Sequence, residues 1–150
     1  MSDKQERLDN SLKVDFIINE AAGSDESAKE YLQFIATCSR ITDDIFDDYN
    51  LLTQKDFLIL VEILFIRLPA NDFYRKHQDI LFSQHITMWN AWEASNFLNK
   101  GDNTDKIYAH VLRDYINELL PLVALLTQGQ SKMKEINVQI RSLFKKELGE

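Results

Sequence analysis

Between Phe57 and Ile66 every residue except Glu62 is apolar. This stretch constrains the fold most, because so much contiguous apolar surface has to leave water. Twelve helical residues from Phe57 rise only about 18 Å, too little for a hydrocarbon layer of about 30 Å. A covered element inside a folded protein is therefore expected, not a bilayer span. A helix that is apolar nearly all round is enclosed by neighbours, and a buried parallel strand is the rival reading of so short a run. No other strand-like segment accompanies it, and Thr53-Gln54-Lys55-Asp56 spells a capping box just ahead of it. The reading is a central apolar helix over residues 56–68, ended by Pro69 because the residue before a proline disfavours the α region.

The remaining segments repeat apolar residues every three to four positions, the helical period. One helix is predicted over Glu26 to Tyr49, capped by Ser24 or Asp25, with Tyr31, Phe34, Cys38, Ile41, Ile45 and Tyr49 on one stripe. A second runs from Asp72 to Asn99 and gathers Phe82, His85, Trp89, Trp92 and Asn96 on one face. A third, from Thr104 to Thr127, carries Ala109, Leu112, Ile116, Leu119 and Val123; Pro121 inside it should kink or divide it. Gly129 stops it, and a last helix over Ser131 to Leu148 aligns Met133, Ile136, Ile140 and Phe144. Residues 1–25 are mostly polar and read as an N-terminal arm or short helix, leaving 26–150 as the bundle domain. With 4 Gly and 2 Pro in 150 residues, the composition argues against a turn-rich β-sandwich. The expected fold is an all-α, single-domain bundle of about five helices around the segment 56–68.

Charge and cysteine narrow the partners. Asp and Glu number 24 against 17 Lys and Arg, and the net charge of -7 argues against nonspecific binding to nucleic acid or to an anionic membrane. The segment from Met1 to Phe16 lacks the apolar core of a secretory signal. One cysteine, Cys38, excludes an intramolecular disulfide framework and a Cys-based zinc site, and reads as an inert thiol on an apolar stripe. A reducing cytoplasm is the expected compartment.

Few side chains carry candidate chemistry. Asp43/Asp47 and Asp44/Asp48 are each one helical turn apart, a spacing at which carboxylates can hold Mg²⁺ or Mn²⁺ through oxygen. The spelling Asp-Asp-x-x-Asp also occurs in the diphosphate-binding helix of isoprenoid synthases, but this chain is far shorter and has no second metal motif. A helical wheel turns Asp43 and Asp47 away from the apolar stripe, so an exposed acidic helix end is the competing reading. His85 has no second His one turn away and reads as a boundary histidine. Trp89 and Trp92 lack the basic surroundings of a base-stacking platform. Arg113 flanks an apolar stripe and needs a partner, with Asp44 or Asp48 expected. That arrangement is either a register-fixing ion pair or a polar pocket of Asp44, Asp48, Asn96 and Arg113 for a phosphate-bearing or amide ligand. No nucleophile elbow, P-loop, dinucleotide fingerprint or His-Glu-x-x-His motif is present.

An ordered set of motifs spans residues 35–145: Ile41-Thr42-Asp43-Asp44-Ile45-Phe46-Asp47, Leu68-Pro69-Ala70-Asn71-Asp72-Phe73-Tyr74-Arg75, Trp92-Glu93-Ala94-Ser95-Asn96 and Val111-Leu112-Arg113. The set resembles small uncharacterised helical proteins encoded by tailed phages and prophages. Asp72 stands where those proteins have Pro, and Gln128 replaces the first Gly of their Gly-Gly. The resemblance implies a phage-related source, in the host cytoplasm or associated with the virion, and supplies no activity. Two functions are expected to compete. One is a noncatalytic helical protein that works by contact with a protein partner, self-association included. The other is a Mg- or Mn-dependent enzyme or binding protein for a phosphorylated small molecule, using Asp43, Asp44, Asp47 and Asp48 for the metal and Arg113 for the phosphate.

Overall fold

The structure is a computed structural model and describes residues 2–144. Among the described residues it is all-helical, without a strand, and forms one compact domain. Over the segment expected as an arm or short helix, α1 (Asp3–Ala22) runs for 20 residues from a Ser2 cap. Its C-terminal half is core, with Ile17, Ile18, Ala21 and Ala22 buried. Gly23, at φ +60°, turns the chain, and the Asp25 carboxylate accepts the Ala28 N–H to start α2 (Glu26–Asp47). A 3-10 turn, Tyr49–Leu51, follows.

α3 (Gln54–Glu62) opens on the expected capping box, in which Thr53 and Asp56 each accept the other's backbone N–H. The helical path then continues through a π turn, Ile63–Arg67, into α4 (Leu68–Ala70). Pro69 therefore does not end it at Leu68. A proline in a regular helix clashes with the carbonyl four residues back. Here the turn before it is widened, and Leu68 N–H reaches the Ile63 carbonyl instead. Asn71, extended, makes the break and caps α5 (Asp72–Lys76) by accepting the Tyr74 N–H.

The helix expected over Asp72 to Asn99 is interrupted at His77, giving α5 and α6 (Gln78–Leu98). The next is divided, as Pro121 led one to expect, into α7 (Asn103–Arg113), a 3-10 turn (Asp114–Glu118) and α8 (Leu119–Gln128). Pro121 sits in the first turn of α8, where a missing N–H costs nothing. Gly129, at φ +97°, leads to α9 (Gln130–Leu143), which Phe144, expected within the helix, caps; residues 145–148 of the expected helix lie outside the described residues.

The core is not where the oily segment led one to look. α8 is the most enclosed helix, burying Leu119, Leu120, Val123 and Ala124 against α9, α1 and α2. Thr127 Oγ1 and Gln128 Nε2 donate to the last carbonyls of α1, which its own ladder leaves unpaired. α6 and α7 pair with each other, and α6 is tied to α2 through the Tyr31–His85 and Asp43–Trp92 hydrogen bonds. The expectation of a central helix over residues 56–68 is overturned: only Ile63 and Leu68 are buried, whereas Phe57 is 56% and Phe65 78% exposed. α3 packs against α2 on one side and leaves Phe57, Leu58 and Val61 exposed on the other. All-round apolarity measures a helix's demand for neighbours, not their supply within the same chain.

Candidate functional site

The polar side chains collect in a seam where α6 and α7 meet α2. At one end Tyr31 is fully buried, and its hydroxyl lies 2.7 Å from His85 Nε2. Tyr74 stacks on both rings, and Phe73 tilts against Tyr31. Burial pushes the Tyr31 hydroxyl pKa up, with Tyr74 adding to it, and burial lowers that of His85, so both rings are held neutral. The Tyr31, Tyr74 and His85 rings cluster with centroids 5.8–6.2 Å apart, and the phenol–imidazole bond ties α6 to α2.

At the other end Arg113 Nη2 donates to Asn96 Oδ1 at 2.7 Å, and its Nε to Ser95 Oγ at 3.3 Å. Ser95 in turn donates to the Trp92 carbonyl. Asn96 is 6% exposed, and its Nδ2 has no hydrogen-bond partner. Asp47, not Asp44 or Asp48, is the carboxylate nearest Arg113, at 3.9 Å. Asn96 and Arg113 thus come together as expected, but the two expected carboxylates do not join them. Asp44 pairs with Arg40 at 3.2 Å, and Asp48 caps the turn at Tyr49 by accepting the Asn50 N–H.

Asp43 was expected to face water and does not. It is half-buried and accepts a 2.9 Å hydrogen bond from Trp92 Nε1. Burial raises its carboxyl above the usual range, against the Trp92 bond and the Arg113 charge, which pull it down. The helical wheel failed here because the long indole reaches around the helix to a position off the apolar stripe. The four carboxylates therefore point to different partners, and among the described residues no three His, Cys, Asp or Glu side chains gather in a metal-holding group.

Beside the seam, a cleft of about 350 Å³ is lined by Asn99, Lys106, Ile107, Ala109, His110 and Arg113. It brings three basic side chains of α7 to one opening. Arg40 is a second cation the sequence did not single out. Its guanidinium spans Asp44 and Asp56, joining α2 to the start of α3. The backbone N–H of Thr53, followed by Arg40, holds the Asp56 carboxyl down to about 2. Cys38 is half-buried and its thiol is pushed up to about 11 by burial, so it is protonated at neutral pH.

No family model matches the chain, and neither the curated proteins nor the solved structures yield a match.

The larger feature of the surface is apolar. Along α6, Phe82, Ile86 and Trp89 recur at intervals of four and three residues and share one outward face, with Trp89 53% exposed. Trp92 lies beside it on the face expected for both, the two rings 5.2 Å apart, and turns its Nε1 to Asp43 of α2. α3 and its π turn expose Phe57, Leu58, Leu64, Phe65 and Ile66. A monomer's largest apolar patch is typically about 300–600 Å², and patches beyond that mark interaction sites. No helix among the described residues is long and apolar enough to cross a membrane.

Proposed function

We propose that this is a noncatalytic, phage-related helical protein that works by contact with a protein partner, as a virion component or a binder of a host factor. The observation that carries the reading is the uncovered apolar face of α3 and its π turn, where Phe65 is 78% exposed. Apolar side chains of this size are retained on a surface at a cost in solubility, and a docked partner recovers that cost. The polar seam supports the same reading, because its histidine, tryptophan and arginine are engaged in holding α2, α6 and α7 together. The phage origin rests on the ordered sequence motifs.

Photo-crosslinking tests it. p-Benzoylphenylalanine placed at position 65 or 86 is expected to give defined protein adducts in cells carrying the phage or prophage, and at position 138 of α9 none. Absence of any adduct from both 65 and 86, to another protein or to a second copy, refutes the reading.

A second reading, binding of a phosphorylated small molecule with Mg²⁺ or Mn²⁺, draws on one observation: Lys106, His110 and Arg113 line a common cleft. Calorimetry with pyrophosphate, with and without either metal, tests it. Heat that disappears in Arg113→Ala supports it, and no heat under any condition ends it.

A further inference from the structure

We infer that the cavity between α1, α2 and α8 binds a small amphipathic cation, an apolar body with a primary ammonium head, and that Asp43 receives the head. This goes beyond the interaction reading and is independent of it, because no residue of α3 or its π turn lines the cavity. The first observation is shape. The cavity holds about 420 Å³. That falls in the range of about 300–1,000 Å³ of small-molecule sites, which recur between the helices of bundles. Ile17, Ile18, Leu32, Leu119 and Leu120, all buried, give it apolar walls. Such walls suit a hydrocarbon body. They offer nothing to a bare metal ion, which asks for about six oxygens.

The second observation is a set of unmatched acceptors on the same lining. Ser39 and Asp43, one turn apart on α2, and Asn117, in the 3-10 turn before α8, all line the cavity. Trp92 Nε1 donates to Asp43 Oδ1, and Oδ2 has no hydrogen bond among the described residues. Asn117 Nδ2 donates to Asp114, which leaves the Asn117 Oδ1 without a described donor; the Ser39 hydroxyl is likewise without one. A carboxylate oxygen, an amide oxygen and a hydroxyl can all accept, and an ammonium brings three donors and no acceptor.

The third observation is charge. Asp43 has no ion-pair partner among the described residues. Arg40, which also lines the cavity, is turned to Asp44 at 3.2 Å and Asp56 at 3.0 Å. Arg113 is engaged by Asn96 and lies 3.9 Å from Asp47. Burial raises the Asp43 carboxyl above its usual range, so its ionised form is costly until a cation meets it. An anionic head would be repelled there, and a neutral head would leave the charge uncompensated.

Calorimetry of the full chain with n-octylammonium, octanol, octanoate and methylammonium tests the inference. Octylammonium is expected to bind with a Kd below about 1 mM, and octanol about tenfold or more weaker, the loss of a charge-assisted hydrogen bond. Octanoate, with the wrong charge, and methylammonium, without the apolar body, should give no heat. Asp43→Asn keeps the shape and an acceptor for Trp92, and should weaken octylammonium about tenfold or more. Ser39→Ala leaves the Trp92 bond untouched and should weaken it about threefold. Glu26→Gln removes an exposed carboxylate at the far end of α2, and Phe65→Ser removes an exposed apolar ring; both should leave the affinity unchanged. Nuclear Overhauser effects should place the octyl chain against Leu32 and Leu120. No heat from octylammonium overturns the inference. So does octanoate binding as tightly, an affinity unchanged in both Asp43→Asn and Ser39→Ala, or one lowered as much by Glu26→Gln or Phe65→Ser. Crosslinking from position 65 is unaffected by any of these outcomes, so the interaction reading stands or falls separately.

Discussion

Tyr31→Phe isolates the seam's most enclosed hydrogen bond. The substitution keeps the ring, with its contacts to Phe73 at 5.6 Å and Tyr74 at 6.2 Å, and removes only the hydroxyl 2.7 Å from His85 Nε2. The net worth of such a bond is about 1 kcal/mol, and a half-buried imidazole nitrogen left without its partner adds about as much again at most. The expected loss is therefore about 1–2 kcal/mol, a fall in Tm of about 3–6 °C for a chain of this length. Urea unfolding followed by far-ultraviolet circular dichroism at pH 7.5 measures it. Protomer concentration has to be fixed, because association adds to apparent stability. His85→Leu closes a double-mutant cycle, with an expected coupling of about 1 kcal/mol. A Tyr31→Phe variant within about 0.3 kcal/mol of the parent, or a cycle without coupling, refutes the assignment of this bond as structural. The pH dependence gives an independent reading. Burial keeps the folded His85 below its usual 6.5, so the unfolded chain binds that proton first. Stability contributed by the neutral ring is present above pH 6.5, falls as pH drops from there to the folded value, and changes no further below it. His85→Gln should flatten that interval of the Tm–pH curve.

Three further outcomes follow from other parts of the fold. Asp56 is held at about 2 in the folded chain against 3.8 unperturbed, so its stabilising effect is present above pH 3.8 and is lost on acidification toward pH 2; in Asp56→Asn that part of the acid limb disappears from a Tm–pH series. Cys38, pushed up to about 11, should react with iodoacetamide at pH 8 on the order of a hundredfold more slowly than a free thiol, and equal rates would show the thiol to be open and ordinary. Gly129→Ala meets no atom within 4 Å but forces a side chain onto φ +97°, so about 1–3 kcal/mol should be lost through backbone strain alone, measured by urea unfolding; an unchanged midpoint would mean that the α8–α9 junction adopts another conformation.

Local signals were legible where neighbours along the chain decide the outcome. The Asp25 cap, the Thr53–Asp56 box, the stop at Gly129 and the division near Pro121 are all short-range, and each lies where the residues placed it. Pro69 was misread because a π turn just before it removes the clash that a regular helix would suffer. Within the seam, Asn96 and Arg113 were recognisable, since a cation beside an apolar stripe has to find a partner. Which partner was not recognisable. Tyr31 and His85 stand 54 positions apart and Asp43 and Trp92 49, and no periodicity within one helix encodes which two helices will touch.

By itself the amino-acid sequence determined that this protein is helical, because apolar side chains recurring at 3.6-residue intervals with few breakers leave a chain little else to form. Only the tertiary structure decided which helix lies inside. Burial goes to the segment with neighbours on all sides, and α8 obtains them from α1, α2 and α9, while the more continuously apolar α3 packs against α2 and keeps Phe57 and Leu58 exposed.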